Sequence, residues 1–71
     1  RPEEYAGFGY YASRMKLDGD AYRYYMQAVQ SSPPHSSLPS ALIADLKAEG
    51  RTEWASRLEA LARSRSNPPT Q

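Results

Sequence analysis

Residues 31–37, Ser-Ser-Pro-Pro-His-Ser-Ser, constrain the fold most, because two prolines and four serines can neither continue a helix nor bury apolar surface. This segment separates two regions of different composition. All six tyrosines and the only phenylalanine lie before it, and the only tryptophan lies after it. The linker is short enough for the two regions to pack together. We therefore expect a single domain over residues 1–66 and a disordered tail over residues 67–71.

The first predicted helix spans residues 3–16. Pro2 suits the first turn, because the N–H that it lacks would have no partner there, and Glu3 and Glu4 complement the positive end of the helix dipole. Gly7 and Gly9 each cost about 1 kcal/mol in a helix interior, and they either lower the helicity or permit close approach of a neighbouring helix. Spacings of three and four predict one apolar face that turns towards the core. Its residues are Tyr5, Phe8, Tyr11, Ala12 and Met15.

The second predicted helix spans residues 20–30. Gly19 suits the end of the preceding helix, and Asp20 suits the N-cap of the new one. The apolar stripe of this helix consists of Ala21, Tyr22, Tyr25, Ala28 and Val29. Together the first two helices form a predicted tyrosine-rich hairpin over residues 3–30.

The third and fourth predicted helices span residues 40–49 and 52–65 and form a second hairpin over residues 38–65. Gly50 stands where the end of a helix needs left-handed geometry, and Thr52 suits the next N-cap. Two ion pairs with a spacing of four are predicted on the fourth helix, Glu53 with Arg57 and Glu59 with Arg63. The predicted core residues are Leu42, Leu46, Trp54, Leu58 and Leu61.

The sequence favours an all-α fold, because no long stretch alternates apolar and polar residues and β-branched residues are scarce. We predict a small bundle of four short helices arranged as two helical hairpins joined by the Pro/Ser loop. An internal repeat with an offset of 34 residues supports two hairpins, since this offset equals the length of tetratricopeptide hairpins. The repeat is too sparse to indicate that family. Its pairs are Ala21 with Ala55, Ala28 with Ala62, and Pro34 with Pro68.

Catalytic and metal chemistry is not indicated. His35, the only histidine, lies in the linker beside Ser36 and Ser37, and adjacency in sequence does not supply the geometry of a catalytic triad. The chain has no cysteine and so no thiolate metal site, and Gly7-Phe8-Gly9 lacks the third glycine of a dinucleotide-binding loop. We expect a non-enzymatic protein with no metal, no cofactor and no small-molecule substrate.

The tyrosines favour a protein-binding surface. Neighbouring residues on a helix diverge by about 100°, so the adjacent tyrosines cannot all point into one core. Tyrosine is also enriched at protein interfaces. We predict that Phe8, Tyr10, Arg23 and Tyr24 bind another protein or peptide, and that the chain is an adaptor or regulatory module. The alternative is that the tyrosines on the apolar stripes supply core volume.

Nucleic-acid binding is the second hypothesis for function. Arg57, Arg63 and Arg65 make the C-terminal region locally basic, and the two helices around Gly50 resemble a helix-turn-helix. The net charge of +1 gives little general attraction for nucleic acid. The fourth helix also uses its apolar face for the core.

No apolar run approaches the length that spans a membrane, and the first residues do not resemble a secretory leader. We therefore expect an intracellular location, with cytoplasm and nucleus equally compatible. The chain begins at Arg1 and not at methionine, which favours a piece of a larger protein.

Overall fold

The computed structural model describes residues 1–66, and this part of the chain contains four α-helices and no strand. The helices are α1 (Pro2–Arg14), α2 (Asp18–Ser31), α3 (Leu38–Ala48) and α4 (Thr52–Ser66). Helices α1 and α2 pack together as hairpin 1, α3 and α4 pack together as hairpin 2, and α2 lies against α4. The predicted all-α bundle is confirmed. The tail predicted over residues 67–71 lies outside the described residues.

Two serine side chains order the linker between the hairpins. The buried Ser32 hydroxyl donates to the Ala28 carbonyl at 2.7 Å, at the end of α2. The Ser36 hydroxyl oxygen accepts the backbone N–H of Leu38 at 3.1 Å, at the start of α3. Both helices therefore extend further towards the prolines than predicted, α2 through Ser31 and α3 from Leu38.

The turn of hairpin 1 closes through a lysine in the left-handed conformation. Lys16 has a φ of 66°, and its N–H donates to the Ser13 carbonyl at 3.0 Å. The N–H of Leu17 donates to the Ala12 carbonyl at 2.9 Å. These two bonds form a Schellman motif, which satisfies the last carbonyl groups of α1.

Because α1 stops at this turn, Gly19 and Asp20 do not form the break between the helices, which corrects the prediction. Both residues lie in the first turn of α2, and Leu17 occupies the N-cap position. The Leu17 carbonyl already accepts the N–H of Ala21 at 2.9 Å. The Asp20 carboxylate pairs with the Arg23 guanidinium instead of a backbone N–H.

Hairpin 2 repeats this turn 34 residues later. Gly50 has a φ of 85°, and its N–H donates to the Lys47 carbonyl at 3.0 Å. The N–H of Arg51 donates to the Leu46 carbonyl at 2.9 Å. The left-handed geometry predicted for Gly50 is confirmed, whereas Thr52 is the first residue of α4 and not its cap. The two hairpins therefore share one turn geometry at the offset seen in the sequence.

One core runs through both hairpins. Leu42, Leu46 and Leu58 are buried as predicted, and Trp54 and Leu61 are partly buried against them. At the junction of the hairpins the ring centroid of Trp54 lies 5.6 Å from that of Tyr22 and 6.1 Å from that of Tyr25. The tryptophan therefore joins α4 to α2 through two aromatic contacts.

The buried residues of α1 are two small ones, Gly9 and Ala12, with Tyr5 packed against the core, so the predicted face is correct for Tyr5 and Ala12 and wrong for its larger members near Gly9. The reason is the buried ring of Tyr25, because a Cβ atom on Gly9 would lie 2.5 Å from its Cε1 atom. The two helices approach where no side chain of α1 intervenes, so larger residues turn outwards. These are Phe8, Tyr11 and Met15, which are 51%, 69% and 69% exposed.

One of the two ion pairs predicted on α4 is present. The Arg57 guanidinium lies 2.8 Å from the Glu53 carboxylate. Glu59 pairs with Lys47 of α3 at 3.4 Å, and not with Arg63, because α3 brings this ammonium group within reach. The second pair therefore links two helices where the sequence predicted a link within one.

Candidate functional site

Exposed apolar side chains lie together on one side of hairpin 1. We call this surface the aromatic face and define it as Phe8, Tyr11, Met15, Leu17 and Tyr24. The first four are about half to two-thirds exposed, and Tyr24 is half-buried. Within the described residues, the large apolar side chains that are exposed all belong to hairpin 1 and its turn. The exposed large apolar side chains of residues 1–66 are therefore concentrated on hairpin 1.

Helical spacing and one ring contact make the aromatic face continuous. Phe8, Tyr11 and Met15 follow one another at intervals of three and four, so they lie along one side of α1. Leu17 precedes Tyr24 by seven positions, about two turns along α2. The rings of Phe8 and Tyr24 join the two rows, with centroids 5.4 Å apart and planes inclined at 54°.

Because these side chains are exposed, the fold does not gain the large stabilising free energy that their burial would contribute. Full burial of a phenylalanine or methionine side chain contributes about 1.5–3 kcal/mol. A small domain has little core from which to compensate for such a loss. Contiguous exposed apolar side chains on a small protein are typical of a surface that another molecule covers.

Tyr10 lies on the side of α1 away from Phe8 and borders the aromatic face only at Tyr11, where the two rings meet edge to face with centroids 6.0 Å apart. It is two positions from Phe8, a rotation of about 200° around the helix. The Arg14 guanidinium lies 5.7 Å from the centroid of the Tyr10 ring and donates to its hydroxyl at 3.3 Å. Tyr10 also lines an open cleft with Glu49 and Arg51 of hairpin 2. It therefore faces the junction of the hairpins.

Arg23 is exposed on α2 and forms an ion pair with Asp20. It is the neighbour of Tyr24 in sequence, so it lies at the edge of the aromatic face. Of the four residues predicted to bind a partner, the structure thus brings Phe8 and Tyr24 together, with Arg23 beside them and Tyr10 on the other side of α1, against Tyr11.

Sequence reasoning missed three residues of the aromatic face. Tyr11 and Met15 share the helical spacing of Phe8, and this spacing was interpreted as a core face. Leu17 was assigned to the break between helices. The signal that identifies the exposed side is Gly9, since a glycine inside an aromatic helix marks the place where the neighbouring helix approaches.

Two of the three arginines in the nucleic-acid hypothesis have partners within the chain. Arg57 pairs with Glu53 at 2.8 Å, and Arg65 donates to the Ser32 carbonyl at 2.8 Å. Arg63 lines an open cleft between α3 and α4. The arginines are therefore occupied in part by contacts that hold α4 in place.

The titratable groups of residues 1–66 form no cluster of three or more acidic or histidine side chains arranged to hold a metal ion. His35 is exposed in the linker. Burial raises the pKa of Tyr25 above its ordinary value of 10.0, and the carboxylate of Glu49 adds to this effect. Tyr25 belongs to the core, so its shifted pKa reflects packing and not an exposed reactive group.

None of the helices in the described part of the chain combines the length and the apolar character needed to cross a membrane. Comparisons with protein-family models, curated proteins and solved structures found no significant match to this chain.

Proposed function

We propose that the chain is a non-enzymatic adaptor or regulatory module that binds another protein or a peptide through the aromatic face. The observation that carries this proposal is the continuous exposed row of Phe8, Tyr11 and Met15, joined to Tyr24 by a ring contact. Aromatic residues and methionine are enriched in the parts of protein interfaces that become buried. Methionine is also flexible enough to fit an irregular partner surface.

Phe8 and Tyr24 are the anchors of the proposed interface. Their rings already contact each other, so they enter a complex with little further loss of side-chain freedom. Tyr24 has a hydroxyl group that can stay hydrated at the edge of a contact. Arg23 and Asp20 form a charged pair beside these rings, which suits the polar rim of an interface.

Capture of partners from a cell lysate tests the proposal, with the unmodified chain, a Phe8→Ser variant and a Tyr10→Ser variant as baits. Phe8 and Tyr10 are exposed to similar extents, 51% and 48%, and differ in the side of α1 that they occupy. We expect Phe8→Ser to lose the captured protein and Tyr10→Ser to keep it. If both variants lose the captured protein equally, or if neither loses it, the result contradicts a role for the aromatic face.

The nucleic-acid hypothesis predicts a different result in the same experiment. A ligand held by phosphate contacts dissociates steeply as the salt concentration rises, whereas an aromatic interface responds weakly. Captured material that disappears with moderate salt and with Arg63→Gln, but not with Phe8→Ser, would identify nucleic acid as the ligand. Melting curves of all the baits, followed by circular dichroism, show whether each variant is folded.

A further inference from the structure

We propose that the partner of the aromatic face is an α-helical hairpin, which stacks on hairpin 1 in the way that hairpin 1 stacks on hairpin 2. This inference rests on the proposed function, because it assumes that the face binds a protein. It adds the structural class of that protein and identifies which residues of the face it covers.

The first step is the equivalence of the two hairpins. Their Schellman turns have left-handed residues at Lys16 and Gly50, which are 34 positions apart. The same offset relates Ala21 to Ala55, and both of these alanines are fully buried where the two helices of each hairpin meet the core. The hairpins are therefore two copies of one structural unit, and each residue of one has a counterpart in the other.

The second step compares corresponding sides of the two hairpins: the side of hairpin 2 on which hairpin 1 stacks, and the same side of hairpin 1. Leu42 and Leu58 of hairpin 2 are 9% and 0% exposed and belong to the core that both hairpins share. Their counterparts in hairpin 1, by the same offset, are Phe8 and Tyr24. Phe8 is 51% exposed and Tyr24 is half-buried. Hairpin 1 thus keeps apolar residues at the positions that hairpin 2 buries in the shared core.

The third step compares the opposite sides. Tyr22, Tyr25 and Val29 lie on the side of hairpin 1 that meets hairpin 2, with Tyr22 and Tyr25 in contact with Trp54. The counterparts of these three residues in hairpin 2 are Ser56, Glu59 and Arg63. Terminal units of hairpin arrays have polar outer sides, because nothing stacks on them. The outer side of hairpin 2 is therefore polar, as in a terminal unit, whereas the outer side of hairpin 1 is apolar.

This asymmetry selects the occupant. A second copy of the chain that stacked head to tail would place polar and charged side chains, Glu59 and Arg63 among them, against Phe8 and Tyr24, and would bury the Arg63 charge and the Glu59–Lys47 ion pair against apolar rings. The expected partner instead offers aromatic and aliphatic side chains from the second helix of its hairpin, as α2 does to α4. Such an arrangement extends the core of the bundle by one unit.

The same comparison divides the aromatic face into a centre and a rim. The counterparts of Tyr11 and Met15 in hairpin 2 are Asp45 and Glu49, and both remain exposed beside hairpin 1. A stacked hairpin is therefore expected to cover Phe8 and Tyr24 and to leave Tyr11 and Met15 at its edge. This division separates the stacking arrangement from a partner that simply spreads over the whole face.

The test uses a fusion in which residues 1–34 of this chain precede the intact chain of 71 residues. The added unit presents its own copy of the α2 surface to the original Phe8 and Tyr24. We expect one cooperative unfolding transition with a higher melting midpoint than that of the chain alone. Tyr24→Ser in the original unit should then lower the midpoint of the fusion by about 4–8 °C more than it lowers that of the chain alone.

Val29→Arg in the added unit is the matched control, because it gives that unit the residue found on the polar side of hairpin 2 at Arg63. We expect this change to abolish the extra stability of the fusion. An added unit that stays unfolded, that unfolds in a separate transition, or that leaves the effect of Tyr24→Ser unchanged overturns the stacking inference. Sedimentation of the chain alone provides one more outcome that would overturn the inference. If the chain forms a dimer that Phe8→Ser dissociates, a second copy of the chain is the occupant of the face.

Failure of the stacking inference and failure of the proposed function give different results. If Tyr11→Ser and Phe8→Ser weaken capture of a protein equally, the face binds a protein but not a hairpin stacked over its centre. If the fusion stacks as expected and no protein is captured through the face, the geometry is correct and the proposed function is wrong.

Discussion

In hairpin 1 the space between the two helices is filled from α2, by the ring of Tyr25 against the bare backbone of Gly9. In hairpin 2 the equivalent position on the first helix is Ile43, which is buried, and the equivalent position on the second helix is Glu59. The two hairpins therefore share a backbone and a turn but, at this pair of positions, place the bulky side chain on opposite helices. One structural unit accepts both solutions as long as a large residue opposes a small or outward-pointing one.

This exchange of size has consequences for the surface. Because hairpin 1 takes its core volume from α2, the large residues of α1 are left on the outside, where they form most of the aromatic face. Because Ile43 of α3 fills the equivalent position in hairpin 2, α4 can carry the exposed Arg63 and the half-buried Glu59, which pairs with Lys47. The same difference in packing thus produces an apolar end and a polar end.

The largest expected effect comes from Leu58 and its counterpart Tyr24, which occupy equivalent positions with and without a covering hairpin. Leu58→Ala removes a side chain that is 0% exposed and should lower the free energy of unfolding by about 2–5 kcal/mol. Tyr24→Ala should cost about 1–2 kcal/mol, because the ring is already half in water. Urea unfolding curves of the two variants measure both values. Equal losses would mean that Tyr24 is a core residue and that the aromatic face is much smaller.

Some features of the two hairpins can be predicted from the sequence and others cannot. The helices, the linker, the left-handed Gly50 and the buried Leu42, Leu46 and Leu58 follow from spacing and from turn chemistry, and the structure confirms them. Spacing does not predict which side of α1 faces the core, because apolar residues cover a wide arc of this helix. Periodicity assigns the largest residues to the core, but the close approach of two helices selects the smallest.

The candidate site could be predicted only in part for the same reason. Tyr24 was identified because adjacent tyrosines cannot all be buried, Phe8 was predicted to bind the same partner, and the structure places their rings in contact. Tyr11 and Met15 were assigned to the core, since nothing in the pattern of α1 alone shows that Tyr25 fills the space beside Gly9. That information lies in a contact between two helices and not in either helix.

The second-largest effect is expected at Gly9, and it tests whether the ring of Tyr25 fills the space beside this residue. Gly9→Ala should lower the free energy of unfolding by about 1–3 kcal/mol, because the new Cβ atom would overlap the ring of Tyr25, which has little room to move in the core. Gly7→Ala is the matched control on the same helix, where a Cβ atom meets nothing within 4 Å. It should stabilise the protein by up to about 1 kcal/mol through helix propensity. Two stabilising substitutions would show that Gly9 is not a site of close approach.

The smallest effect concerns the phenol of Tyr25, a group with no counterpart in hairpin 2. Its pKa is raised above 10.0 by burial first, then by the negative charges of Glu49 and Asp45 and by Tyr10, while Arg51 acts in the opposite direction. The neutral phenol is therefore favoured in the folded state. In the unfolded chain the same phenol loses its proton at a lower pH.

The sign of the pH dependence follows from this order. The contribution of neutral Tyr25 to stability is complete below about pH 10, where both states hold the proton, and it is lost as the pH rises from there through the higher pKa of the folded state. Stability should therefore fall more steeply above pH 10 in the unmodified chain than in Tyr25→Phe, while the two differ little at pH 7. Denaturant unfolding between pH 7 and pH 11 measures the difference in slope, with Tyr11→Phe as the control for an exposed phenol that does not act on Tyr25. Parallel curves for the unmodified chain and Tyr25→Phe would show that the Tyr25 phenol titrates alike in both states, so that burial of aromatic bulk in hairpin 1 opposes no ionisation.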